Sequence, residues 1–126
     1  MPAAPDSAQS FGLVVQPTGK FRLLPWTPTI TPQHALRCDL ASPIGLTTRL
    51  TAWHDTYAAY LGQDVNVPAF SLLSMYVNCL PHRGDVVVTA GIDTTGRTLG
   101  LGLDQALTVL GRLLDRPRTV PRQPCR

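Results

Sequence analysis

Hydrophobic positions in this chain come in short runs broken by proline and glycine, with a period that shifts between strand-like and helix-like. FGLVV and KFRLLPW flank QPTG, which predicts a β-hairpin over residues 11–25, ended by Pro25 and Pro28. Thr31 before Pro32 is an N-cap with proline at the first helical position. A short helix is therefore expected over 32–40, with Ala35, Leu36 and Leu40 on its apolar side and Pro43 as its stop. IGLTTRLTAWH, residues 44–54, alternates imperfectly and reads as one strand with Leu46, Leu50 and Ala52 on a shared face. HDTYAAYLGQ has no decisive period and reads mostly as loop. Asn66, with Pro68 two residues on, opens a predicted helix to about Leu80. Its core stripe is Ala69, Leu72, Leu73, Tyr76 and Leu80, and Pro81 ends it.

DVVVTAG, residues 85–91, reads as a central strand buried on both faces. IDTTGR turns at Asp93 and Gly96. A last helix is predicted from Leu103, with Leu103, Ala106, Leu107, Leu110, Leu113 and Leu114 toward the core and Asp104 and Arg112 at the ends its dipole favours. The order ββα-β-α-β-α predicts an α+β domain: a small mixed β-sheet with an N-terminal hairpin and about three helices over one face. Residues 1–10 and 116–126 lack any period and are expected to be disordered, which leaves one domain at 11–115.

GLVVQPTGKFR, NVPAFSLL and RGDVVVTAGIDTTGRTLGL, in that order, resemble a family of small actinobacterial, phage and plasmid proteins, domain-of-unknown-function family 3846. There an Asn-x-x-Ala helix start, here Asn66 and Ala69, precedes a Gly-Asp-hydrophobic strand ending in glycine, here Gly84, Asp85 and Gly91. An Asp…Gly turn follows, here Asp93 and Gly96. The resemblance covers roughly residues 11–110. This chain departs from the pattern in LASPIGL, which keeps one glycine and no acid where such proteins often carry a Gly-Gly pair and an acidic strand. The resemblance implies a fold and a mobile-element setting; it supplies no reaction, cofactor or catalytic residues.

Charge changes the picture only at one end. Of eleven basic residues, Arg116, Arg118, Arg122 and Arg126 fall in the last eleven positions, leaving seven against eight acids in residues 1–115. The domain itself is nearly neutral, which argues against a nucleic-acid-binding face; the arginine tail offers at most weak, non-specific contact. No apolar run approaches the roughly 18 residues of a membrane span, and MPAAPDSAQS has no signal-peptide pattern, so the expected location is cytoplasmic. Cys38, Cys79 and Cys125 are odd in number and widely spaced, unlike a disulfide framework or a zinc site. Cys38 and Cys79 read as buried small hydrophobes and Cys125 as an exposed thiol.

Candidate chemistry is sparse. His34, His54 and His82 lie near Asp39, Asp55 and Asp85, but adjacent His54 and Asp55 on a strand point to opposite faces, and no serine has a nucleophile-elbow setting. Cys79 precedes His82 by three residues at an expected helix end. No histidine spacing suggests a metal. Gly100 and Gly102 precede a helix without the basic residue a phosphate loop needs, and the RGD at 83–85 leads into a strand. Trp26, Trp53, Tyr57, Tyr60 and Tyr76 are candidates for a partner surface as well as for the core. The residues left for function are His54, His82, Arg83 and Asp93, as a site for a protein or small ligand. No catalytic residue, cofactor or metal is assigned. A non-enzymatic accessory protein is expected, with a small His/Asp enzyme as the alternative, and the edge hairpin at 11–25 could pair two copies into a homodimer.

Overall fold

A computed structural model of the chain describes residues 9–115. The fold is α+β: a five-stranded antiparallel sheet with three helices. Strands β1 (Phe11–Val15) and β2 (Phe21–Pro25) form the expected hairpin. Helix α1 (Pro32–Leu36) follows, then β3 (Ala41–Thr47), β4 (Leu50–Asp55), helix α2 (Val67–Leu73), β5 (Val86–Thr89) and helix α3 (Leu103–Leu114). The order across the sheet is β2-β1-β5-β4-β3, so the fifth strand lies between two hairpins. Its residues Val86 to Thr89 are all buried, as the apolar run predicts.

Every strand pairing is antiparallel, where a mixed sheet was expected. The reason lies between β4 and β5. A parallel crossover needs a helix that carries the chain along the sheet. Here α2 has seven residues, about 10 Å of helix, and the segment after it returns to the end that β4 left, where His54 pairs with Val86. The helices also divide between the faces. α2 and α3 cover the face bearing Leu13, Val15, Ala52, Val86 and Val88. α1 covers the other with Val14, Val87 and Trp26.

Three element limits differ from expectation. Residues 44–54 are a hairpin turning at Thr48-Arg49; the turn pairs Thr47 with Leu50, and the register shift between Gly45 and Thr47 brings Leu46 back to the face of Leu50 and Ala52. Pro43 lies within β3, an edge strand, where no N–H is demanded of it. α1 ends early, at a left-handed Arg37 whose neighbour Cys38 donates its N–H to the Gln33 carbonyl. α2 gives way after Leu73 to tight turns closed by Met75 N–H to Leu72 O and Tyr76 N–H to Leu73 O. Tyr76 and Cys79 still pack on the core, while Leu80 projects outward. In α3 the core side is Ala106, Val109 and Leu113 with Leu110 beside them; Leu103, Leu107 and Leu114, expected inward, are exposed.

Asn66 joins these parts. Its side chain is fully buried; Oδ1 accepts the Ala69 N–H as N-cap of α2, and Nδ2 donates to the carbonyls of Val15 and Gly84, at 2.9 and 2.8 Å. Asn66→Ala is expected to strand two buried carbonyls and remove the cap, at a cost of about 3 to 5 kcal/mol, read from urea unfolding. Asn66→Asp keeps the cap acceptor but sets a carboxylate against two carbonyls, and should be at least as destabilising.

Candidate functional site

The end of the sheet where β4 stops and β5 starts gathers most of the chemistry. Asp55 closes β4, and residues 56–62 turn back over it, with Ala58 N–H bonded to the Asp55 carbonyl and Asp55 Oδ1 accepting the Tyr57 N–H at 2.9 Å. The chain then meets the segment entering β5: Val65 bridges Arg83, Asn66 N–H reaches the His82 carbonyl, and Gly84 N–H reaches that of Asp64. Gly84 has φ +78°, which favours glycine, and a Cβ there would in addition push aside the end of the Gln63 side chain. The RGD tripeptide is thus part of a folded junction.

His54 and His82, 28 positions apart in sequence, stack here with ring centroids 4.2 Å apart and an interplanar angle of 34°. Both are half-buried. His54 Nδ1 lies 3.2 Å from the Asp55 carbonyl oxygen, which can only accept, so Nδ1 carries a proton and donates it there. Burial, and then repulsion from His54, hold the His82 imidazole below its ordinary range. The two rings form an aromatic surface, and burial favours the neutral form of His82.

The other two candidates do not join it as free groups. Arg83 donates from Nη1 to the Gln63 carbonyl at 2.9 Å, which tethers the exposed guanidinium across the junction. Asp93 lies in the turn after β5. One of its carboxylate oxygens accepts the Thr95 hydroxyl at 2.6 Å and the N–H groups of Thr95 and Arg97, each at 2.9 Å. Those bonds, the Thr95 hydroxyl first, hold its carboxyl below the usual range. It is a turn-forming residue, a role that the neighbouring Thr-Thr-Gly already signals. The arginines 116, 118, 122 and 126, and Cys125, lie outside the described residues.

On the other face, at the same end, Asp55, Asp64 and Asp85 line a cavity of about 390 Å³ with Leu36 and Gln63. Burial pushes the Asp85 carboxyl up, offset in part by the charges of Arg22 and Arg37. Asp55 and His54 do point to opposite faces, so the carboxylates belong to one surface and the imidazoles to the other. Among the described residues, no three His, Cys, Asp or Glu side chains are placed to hold a metal ion, and no helix is long and apolar enough to cross a membrane. Cys38 and Cys79 are both free and only half-buried. The glycines before α3 serve structure: a Cβ on Gly100 would come within 2.6 Å of Trp26 Cβ, and Gly102 N–H is taken by Gln105 Oε1.

Of the five aromatic candidates for a partner surface, Tyr57 and Tyr60 are exposed while Trp26 is buried and Trp53 and Tyr76 pack on the core; nothing in the sequence marked the aliphatic residues that are exposed as well. Tyr57, Tyr60, Leu61, Val67 and Leu80, from the two segments that cross at the junction, all lie open to solvent. Leu80 fitted the helical stripe of α2, and only the early end of that helix turns it outward.

Because the folded state lowers the proton affinity of His82, the unfolded chain binds the proton more readily below about pH 6.5. Stability contributed by neutral His82 is therefore fully present above that pH and is lost as pH falls through the depressed value. Urea midpoints taken between pH 7.5 and 5 should fall more steeply for the native chain than for His82→Gln; parallel curves would show that the pair is not coupled to folding. Comparison of the chain with protein-family models, with curated proteins and with solved structures returned no match.

Proposed function

We propose that this chain is a non-enzymatic binding protein, a cytoplasmic accessory of a phage, plasmid or actinobacterial host, and that the surface around His54 and His82 receives a protein partner. The observation that carries this reading is the concentration of outward-facing apolar and aromatic side chains at the junction end. Tyr60 is 90% exposed and Leu80 79%, and Leu61, beside Tyr60 in the chain, and Val67, at the start of α2, are exposed as well. Side chains of this kind stabilise a complex when covered and contribute nothing to the free fold. The half-buried imidazoles supply an aromatic floor, and Arg83, tethered to the Gln63 carbonyl, adds a charged donor.

The alternative, a small enzyme working through histidine and aspartate, draws on the 4.2 Å approach of the two rings. It also needs a carboxylate to orient one imidazole. The aspartates nearest in sequence are otherwise placed: Asp55 accepts the Tyr57 N–H, and Asp55 and Asp85 line the cavity on the opposite face. That arrangement favours recognition over proton transfer.

The test uses the whole chain as bait in an actinobacterial lysate, beside a Tyr60→Ser/Leu80→Ser variant. Each exposed substitution should change stability by no more than about 0.5 kcal/mol, checked by urea unfolding, while the complex held by the native chain is lost. If the native chain retains no partner, or the variant retains the same one, the reading fails.

A further inference from the structure

The two edges of the sheet are not alike. β3 carries Pro43 in its span and a shift of register between Gly45 and Thr47, two devices that stop a sheet from growing. β2 has no such guard before its last residue, Pro25. The bonds from Gln16 N–H to Lys20 O and from Trp26 N–H to Ser10 O fix the alternation along β2. Arg22 and Leu24 thus direct their backbone groups to β1, and Phe21 and Leu23 direct theirs away from the sheet.

Among the described residues nothing pairs with this outer edge of β2, and an apolar strip accompanies it. Leu23 packs on the core beneath α2 and α3, and Phe21, two residues back, shares its face and is 40% exposed. On α3, Leu103, Leu107 and Leu114 are each slightly more than half exposed and form one line with half-buried Leu110. The opposite flank of α3, with Asp104, Thr108 and Arg112, faces Thr47, Arg49 and Leu50 of the β3–β4 hairpin across a cavity of about 330 Å³. The leucine line is therefore turned toward the β1–β2 side, where Leu101, just before α3, bridges Phe11.

We propose that the occupant of this edge is a second copy of the chain. A two-fold dimer forms in which β2 pairs antiparallel with β2 about Leu23 and the leucine lines of the two α3 helices close over the seam. This register sets Phe21 of one copy opposite Pro25 of the other and Arg22 opposite Leu24, so no like charges are opposed. Leu23 exchanges both backbone bonds with its counterpart, and each Phe21 N–H reaches a Pro25 carbonyl, which needs no N–H from the proline. The exposed parts of Phe21, Leu103, Leu107 and Leu114 amount to on the order of 400 Å² per copy, about half of the roughly 800 Å² that each partner brings to a stable interface. The strand edge, Leu23 and Leu110 supply the remainder.

The experiment is sedimentation velocity on the full chain from about 1 to 200 μM, with hydrogen exchange read at the Phe21 and Leu23 amides. A dimer is expected, with protection of both amides rising in step with its population. Leu107→Glu should weaken association at least about 30-fold with unchanged circular dichroism, and Thr108→Glu, on the other flank of α3, should not. Phe21→Lys provides a second disrupting variant should Leu107→Glu fail to fold. A chain that stays monomeric overturns the proposal, as does a dimer whose Leu23 amide exchanges freely. Protection of that amide in the monomer at every concentration would assign the edge to the chain's own terminal residues and likewise overturn it.

Discussion

One side chain holds the architecture in register. Asn66 uses its acceptor to start α2 and both its donors to fasten the ends of segments that are remote in sequence, β1 at Val15 and the entry to β5 at Gly84. A buried amide with three satisfied bonds is a directional constraint, whereas apolar packing alone would tolerate sliding of α2 over the sheet. The position of the junction, the start of the central strand and the seat of the stacked histidines all follow from where that amide is anchored. The asparagine is legible in the sequence as a helix cap; its two other bonds are not, because they depend on chain segments 51 and 18 residues away.

Much of the fold was readable from local pattern. VVVT announces a strand buried on both faces, Thr31-Pro32 starts α1, and the hairpin at QPTG forms where its proline and glycine indicate. The misreadings share a cause, which is that periodicity reports a face and not an element. The register shift between Gly45 and Thr47 offsets the change of phase at the turn, so Leu46, Leu50 and Ala52 share a face and two strands look like one. Leu80 keeps a helical phase after the helix has ended. On α3 seven apolar positions, Val109 among them, cover too wide an arc for one core to absorb, and which of them turn inward is decided by the sheet beneath.

The candidate site was legible in part and for a definite reason. His54 and His82 could be singled out as titratable residues without a structural task, but their stacking depends on the path of residues 56–82. Asp93 and Arg83 lost their independence to backbone groups, the usual fate of polar side chains in tight connections. The aromatic and aliphatic residues at the rim carry no motif at all. Hydrophobic residues are expected inside, so their exposure emerges only once the core is seen to be full without them.

The place of β5 in the sheet has a consequence for how the chain is made. The strand that every other part of the sheet leans on is the last of the five to leave the ribosome, and both its neighbours are hairpins that close on local contacts well before it. Until residues 86–89 emerge, β1 and β4 each present an unpaired inner edge to the space that β5 will fill. Synthesis therefore passes through a stage with two open sheets in one nascent chain. The insertion of four residues, Val86 to Thr89, covers both edges at once.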